Sequence, residues 1–389
     1  MRNHYLIWLT LIFSFGNNCA QSDSAVNRKF ELYSANYFHI GSTHFPIKLY
    51  STLLNGGYIN EKLKGEFNNK DELLRMGGEA QSDICIKIPS MKKIDYCYIG
   101  FRQLFTFGGR YHQSLFQFIF DGNQELDFVN LSKSAFHNRN FQLLQFGIIK
   151  NNISVGLSIG NVLSENTLTF NSSDFIEFNN NYTWNVHLSP SFSSISNNKN
   201  LFKKNGQVFS MDGRIIKHLN PQLDFEMGVQ NLGVLHYSNE ALFKQIDTNF
   251  VFEGFSFEQI LNLNETIENV SNTSTIDNSQ NTSFKLTPYT VWGITNYVID
   301  SYTYSLSFFY RHDSQFIPRF NFMVSKQIKS KLSLSSNIAY GGFTQFQWGA
   351  RLLYSYKNHS FGINYMNITS FLPSWSKSFG VGLNFNIRL

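Results

Sequence analysis

The chain has 389 residues and a formal net charge of +5, spread along its length without a long basic block, so nothing in it supports nucleic-acid binding. Aromatic residues make up 16% and charged residues only 15%. A soluble domain runs closer to about a quarter charged, and a bundle of membrane helices would be plainly apolar, whereas the mean hydropathy here is slightly negative.

Residues Met1 to Ala20 read as an export signal, with Arg2 as the basic start, an apolar core from Tyr5 to Phe15 and cleavage after Ala20. Beyond it no run of 18 or more apolar residues occurs, so a spanning helix is not expected. Strands are expected over Ile47 to Leu54, Gln81 to Ile88, Ile94 to Phe107 and Gln113 to Phe120. Between the first two, residues 60–79 contain Asp71 to Arg75 followed by Gly77-Gly78, which reads as a short helix serving either as a plug or as a loop helix. Cys85 and Cys97 fall opposite one another if Pro89 to Lys93 is the turn, and either a disulfide or two free thiols would satisfy the spacing.

The next hairpin is clearer. Ile153, Val155, Leu157 and Ile159 alternate with Ser154, Gly156, Ser158 and Gly160, and a two-residue Asn151-Asn152 turn sets Ile148 against Val155 and Phe146 against Leu157. The Gly-x-Ser-x-Gly pattern at Gly156 to Gly160 lies inside this alternation, not at a strand-to-helix elbow, and carries no hydrolase signal. His187, alternating with Thr183, Asn185 and Ser189 in the strand expected over Tyr182 to Phe192, reads as a polar-face residue.

A third hairpin, with a loop from Lys217 to Pro221, sets Ile215 against Leu223, Arg214 against Asp224 and Asp212 against Glu226. Arg214, Asp224, Asp212 and Glu226 would then be lumen charges, because on a lipid-facing wall Arg or Lys costs up to roughly 2–4 kcal/mol. Residues 262–283 form a long polar loop. Further strands are expected over Tyr289 to Val298, Tyr302 to Tyr310, Arg319 to Lys326, Lys331 to Tyr340 and Gln345 to Tyr356. A Lys357-Asn358 turn sets Tyr354 against Phe361. Trp184, Trp292, Trp348, Tyr302 and Tyr356 suit aromatic girdles at two interfaces.

The last segment alternates Phe379, Val381, Leu383, Phe385, Ile387 and Leu389 with Gly380, Gly382, Asn384, Asn386 and Arg388. Separation of two faces at period two belongs to a strand, and such a closing strand resembles the terminal signal by which outer-membrane barrels are assembled. With no helix able to cover so many apolar strand faces, lipid must. The expected fold is all-β: a transmembrane antiparallel β-barrel of about 14 strands (range 12–16) with a polar or side-chain-filled lumen, forming one unit over residues 21–389 in the outer membrane.

No phosphate-binding loop, metal-ligand spacing or catalytic constellation is present in the sequence, so no enzyme activity, cofactor or metal is expected. The stretches Gly57 to Lys64, Phe116 to Asn123, Asn231 to Leu235 and Phe252 to Phe255 resemble a family of Bacteroidota outer-membrane barrels carrying a domain of unknown function. Barrels of the PorP/SprF kind and of the fatty-acid-channel kind are looser likenesses. The resemblance implies an envelope location and an accessory role that docks an envelope protein, with outer-membrane lipid and the barrel-assembly machinery as further partners. The alternative is a passive transport or binding barrel for a small, hydrophobic molecule.

Overall fold

In the computed structural model the described residues are 29–64, 72–90, 94–123, 126–179, 183–195, 206–237, 242–252, 275–277 and 284–389. The export signal, residues 1–20, lies outside them, as does most of the polar loop at 262–283. Among the described residues no helix is long and apolar enough to cross a membrane.

Fourteen strands close into an antiparallel barrel. In chain order they are β1 (Glu31–Ser42), β2 (Leu73–Pro89), β3 (Tyr96–His112), β4 (Ala135–Lys150), β5 (Ile153–Thr169), β6 (Gly206–Asn220) and β7 (Leu223–Tyr237). They continue as β8 (Thr290–Ile299), β9 (Tyr302–Arg311), β10 (Ile317–Lys329), β11 (Leu332–Gly342), β12 (Thr344–Tyr356), β13 (His359–Tyr365) and β14 (Ser378–Arg388). Each strand pairs with the next, and β14 returns to β1 along a ladder from Glu31↔Arg388 to Gly41↔Ser378. Closure leaves no free edge, which is what lets a sheet sit in hydrocarbon. One seam differs: β1 and β2 register a single ladder pair, Ser42↔Met76. Asn36 is bound by Ser82 Oγ (2.7 Å) and Glu31 by Lys87 Nζ (2.7 Å) across the same seam.

The alternation read from the sequence becomes two faces. Outward residues such as Leu157, Leu306, Phe320, Ile338 and Phe346 stand 49–65% exposed, while their neighbours Ser158, Ser305, Arg319, Asn337 and Gln347 are buried inside. An exposed apolar belt of this extent is an aggregation hazard in water and a lipid contact in a bilayer. At the end carrying the two-residue turns, Lys326 lies over the Tyr302 ring (5.0 Å) and Lys331 over Tyr356 (4.2 Å). Ring and ammonium together mark the water–lipid boundary. Trp348 also faces out, whereas two expected girdle residues do not: Trp292 is inside the barrel, and Trp184 packs on Phe118 and Phe178 in the cap described below.

The Asn151-Asn152 and Lys357-Asn358 hairpins have the registers their sequences dictate, with Ile148↔Val155 and Tyr354↔Phe361. Asn151 (φ 51°) and Lys357 (φ 50°) supply the positive φ angles such turns need. The third hairpin corrects the expected register. Its turn is Pro221-Gln222, so Ile215 faces Met227 and Arg214 faces Gly228, with irregularities at Met211/Gly213 and His218/Asn220.

At the opposite end most of the connections are long. Two segments expected as strands are helices, α1 (Ile47–Asn55) and α3 (Gln113–Asp121), and a short α2 (Glu61–Lys64) follows α1. They pack one mini-core, with Phe45, Leu49 and Leu63 against Leu74, Tyr111 and Phe116. The helix expected at Asp71 to Arg75 is not formed, because Leu73 onward belongs to β2, and of residues 60–79 only Glu61–Lys64 is helical among those described. Gly77 and Gly78 are strand residues kept small by close neighbours: a Cβ on Gly77 would stand 2.4 Å from the Phe343 ring, and one on Gly78 2.5 Å from that of Phe107. A small outer sheet of Phe128–Asn130, Phe175–Phe178, Trp184–Leu188 and part of Leu242–Phe252 completes the cap. His187, read as a barrel-face residue, sits in this sheet against Phe175. In outer-membrane barrels the short turns face the periplasm and the long loops the exterior.

Candidate functional site: the barrel lumen

The inner face carries charge in networks, some along the wall between neighbouring strands and some across the lumen. Arg311 on β9 pairs with Glu79 on β2 and donates to Tyr37 Oη on β1 (2.9 Å). Arg102 on β3 is a second hub, donating to Asp83 on β2 (2.6 Å), Asp212 on β6 (3.0 Å) and Asn231 on β7 (2.7 Å). Nearer the cap, Arg139 on β4 joins Glu165 on β5 (3.2 Å) to Asp313 in the β9–β10 connection (2.6 Å). Glu165 also accepts from Tyr237 (3.0 Å) and Lys285 (3.4 Å). Burial alone would push the Asp313 carboxyl up. The Arg139 guanidinium and Lys285 ammonium outweigh that and hold it below the usual carboxylate range.

Hairpin tips pack into the outer end. Phe316 and Phe343 are 4% and 1% exposed and meet edge to face at 5.2 Å. Gly108 admits the Ser314 carbonyl, which would stand 2.7 Å from a Cβ there. Toward the turn end the inner face opens: Gln327 and Ser355 are exposed, whereas Ser305, Ser335 and Asn337 higher up are buried.

The described residues line two cavities on the inner face, of about 200 Å³ and 220 Å³. Trp292 and Phe309 line both and so stand between them. Trp292 takes its place because β7 has glycine opposite it, where a Cβ on Gly228 would stand 2.4 Å from the indole. Its indole N–H donates to Glu226 (3.3 Å). Tyr98 is fitted the same way, over Gly147 and Gly156.

Of the four charges singled out in the sequence, Arg214 and Asp212 line the first cavity and Glu226 the second. Arg214 binds Glu226 with two bonds of 2.7 Å, not Asp224. Asp212 binds Arg102 and Gln145 (3.0 Å), not Glu226 as its partner across the hairpin. Asp224 lies at the turn end with His218 (2.6 Å), both about half exposed. In β14 the residues Phe379, Val381, Leu383, Phe385 and Ile387 share the outer face, and Leu389 follows, exposed. Cys85 is buried inside and Cys97 exposed outside, and neither is in a disulfide. They stand on opposite faces of the wall, paired with Gly100 and Ile88, which removes the disulfide option. Sequence reading missed Arg102, Arg139 and Arg311 as hubs. The available signal was a lone Arg on the polar parity of an otherwise uncharged strand, as at Arg311.

A closed antiparallel barrel with an apolar outer belt, a charged interior and alternating short and long connections defines an outer-membrane β-barrel. No protein-family model matches the chain. No curated protein matches it either. Among solved structures it is similar to the toluene transporter TbuX of Ralstonia pickettii (9% identity, TM-score 0.40), covering 94% of this chain and 90% of that one. It is also similar to a Pseudomonas aeruginosa FadL homologue (8%, TM-score 0.37, 93% and 90% covered). A mutant Rh. blastica porin is more distant (6%, TM-score 0.28, 92% and 100% covered). The barrel assignment stands on the strand pairing and the two faces.

Proposed function

We propose that this barrel is an envelope accessory protein, closed to free diffusion, that docks a protein partner in secretion or surface assembly. The observation that carries the reading is the set of ion pairs crossing the lumen, Arg311 with Glu79 and Arg102 with Asp212. Side chains tied to opposite walls fill the space an open pore would leave to water. Work done by such a barrel falls to its surfaces. The cap offers exposed apolar groups for a partner, including Leu54 (85%), Tyr58 (87%) and Trp375 (79%). The resemblance to Bacteroidota barrels belongs to the same proposal, as do export by the N-terminal signal and recognition of β14 by the assembly machinery.

The test is planar-bilayer conductance of the purified protein, run beside purification from native membranes in mild detergent. A stoichiometric envelope protein and a silent bilayer support the accessory role. Reproducible channels without a partner contradict it and favour passive transport of a small hydrophobic molecule.

A further inference from the structure

We propose that the second lumen cavity is a binding site for a small organic carboxylate entering from the short-turn side. The proposal does not depend on the partner-docking reading. Two guanidinium groups line the cavity, Arg319 from β10 and Arg351 from β12. Among the described residues lining it Glu226 is the one acid, and Glu226 is already held by both of its bonds from Arg214 and by the Trp292 indole.

Arg351 has no ion pair among the described residues, and its Nε is buried without a hydrogen-bond partner. The arginines lining the first cavity illustrate the contrast: Arg102, Arg214 and Arg311 each have a carboxylate within 3.0 Å. A half-buried guanidinium left with polar but uncharged neighbours is a standing site for an anion, and its planar fork suits a carboxylate. Asn364 from the neighbouring strand β13 adds an amide on the same wall.

The remaining lining sets the rest of the ligand. Trp292, Phe309 and Met323 offer rings and a thioether, so the anion carries an apolar face. At about 220 Å³ the space excludes long chains and drug-sized molecules. Access follows from the wall: below Arg351 the inner-face residue Ser355 is exposed, while toward the outer end Phe316 and Phe343 are packed and buried. The carboxylate is therefore captured from the periplasmic side.

The test is calorimetry on the full-length barrel in detergent with benzoate as the probe, benzamide as its uncharged counterpart and inorganic phosphate as an anion without an apolar face. Expected is saturable binding of one benzoate per barrel, weakened at least tenfold in Arg351→Gln and partly restored in Arg351→Lys, with no binding of benzamide and weaker binding of phosphate. Absence of saturable benzoate binding, equal binding of benzamide, or indifference to Arg351→Gln overturns the site. Phosphate binding as tightly as benzoate overturns the carboxylate assignment. Should Arg351→Gln lose the heat-modifiable gel mobility of a folded barrel, Asn364→Leu carries the same readout, and unchanged benzoate affinity there contradicts the site.

Discussion

Arg311 on β9 is ion-paired with Glu79 on β2, and these strands stand seven apart whichever way the fourteen-strand ring is counted. The pair therefore joins opposite walls of the barrel, with side chains 3% and 1% exposed. Removing one partner strands a buried charge, which costs about 3–5 kcal/mol. Arg311→Met is expected to lower stability by that order in urea unfolding from lipid vesicles, and adding Glu79→Gln to recover part of it. A loss below about 1 kcal/mol, the range of exposed pairs, would show that the link across the lumen is not made.

The register of the β6–β7 hairpin gives a second prediction. Cysteines at Ile215 and Met227, which face each other on the outer wall, should be joined by a short thiol crosslinker faster than cysteines at Ile215 and Leu223. Cysteines at Ile215 and Leu223 should also label from lipid-soluble reagents, and those at Arg214 and Asp224 should not. Preferential crosslinking of the Leu223 pair would restore the longer loop from Lys217 to Pro221.

Gly228 makes room for Trp292. Gly228→Val is expected to force the indole aside at a cost of about 1–3 kcal/mol, the range for overpacking, with a change in tryptophan emission and loss of the bond to Glu226. An unaltered spectrum would mean the indole lies elsewhere.

The cap should respond to acid. His44 lies in the connection between β1 and α1, its Nε2–H donating to the Lys64 carbonyl (3.1 Å). Burial first, and then the Lys377 ammonium, lower its pKa below the usual imidazole value. Because the folded pKa is depressed, the native state binds fewer protons than the unfolded chain. The associated stability is fully present above the unfolded value of about 6.5 and is lost as pH falls from there through the folded value. Amide exchange of α1 and α2 should therefore quicken between pH 7 and acid, and this dependence should flatten in His44→Gln. Identical profiles for the two proteins would remove His44 as the cause.

The barrel wall was legible wherever the lipid belt imposes strict alternation and a turn residue accepts positive φ, as at Ile153 to Ile159 after Asn151. Strand β1 was not. Its outer face interrupts Leu32, Phe38 and Ile40 with Ser34 and Asn36, and its inner face carries Tyr33 and Tyr37, so neither face has a uniform polarity. Ser34 and Asn36 are tolerable there because Asn36 donates to Ser34 (2.7 Å) and accepts from Ser82 (2.7 Å). The helices α1 and α3 were hidden for a different reason. Short apolar runs such as Gln113 to Phe120 fit either period, and only the mini-core contacts of Phe116 with Phe45 and Tyr111 select the helix. A C-cap glycine with φ of 69° at Gly56 was the available cue for α1. Partners across the lumen, such as Arg102 with Asp212, are separated by 110 residues and follow from closure of the ring, which no local pattern encodes.

The most direct measurement is a spin-label scan of Ile153 to Ile159 in lipid vesicles, comparing collisions with oxygen, which concentrates in the bilayer, and with a water-soluble nickel complex. Oxygen accessibility should peak at positions 153, 155, 157 and 159 and fall at 154, 156 and 158. A flat profile, or one in which the odd positions report water, would contradict a barrel wall facing lipid on one side and a side-chain-filled lumen on the other.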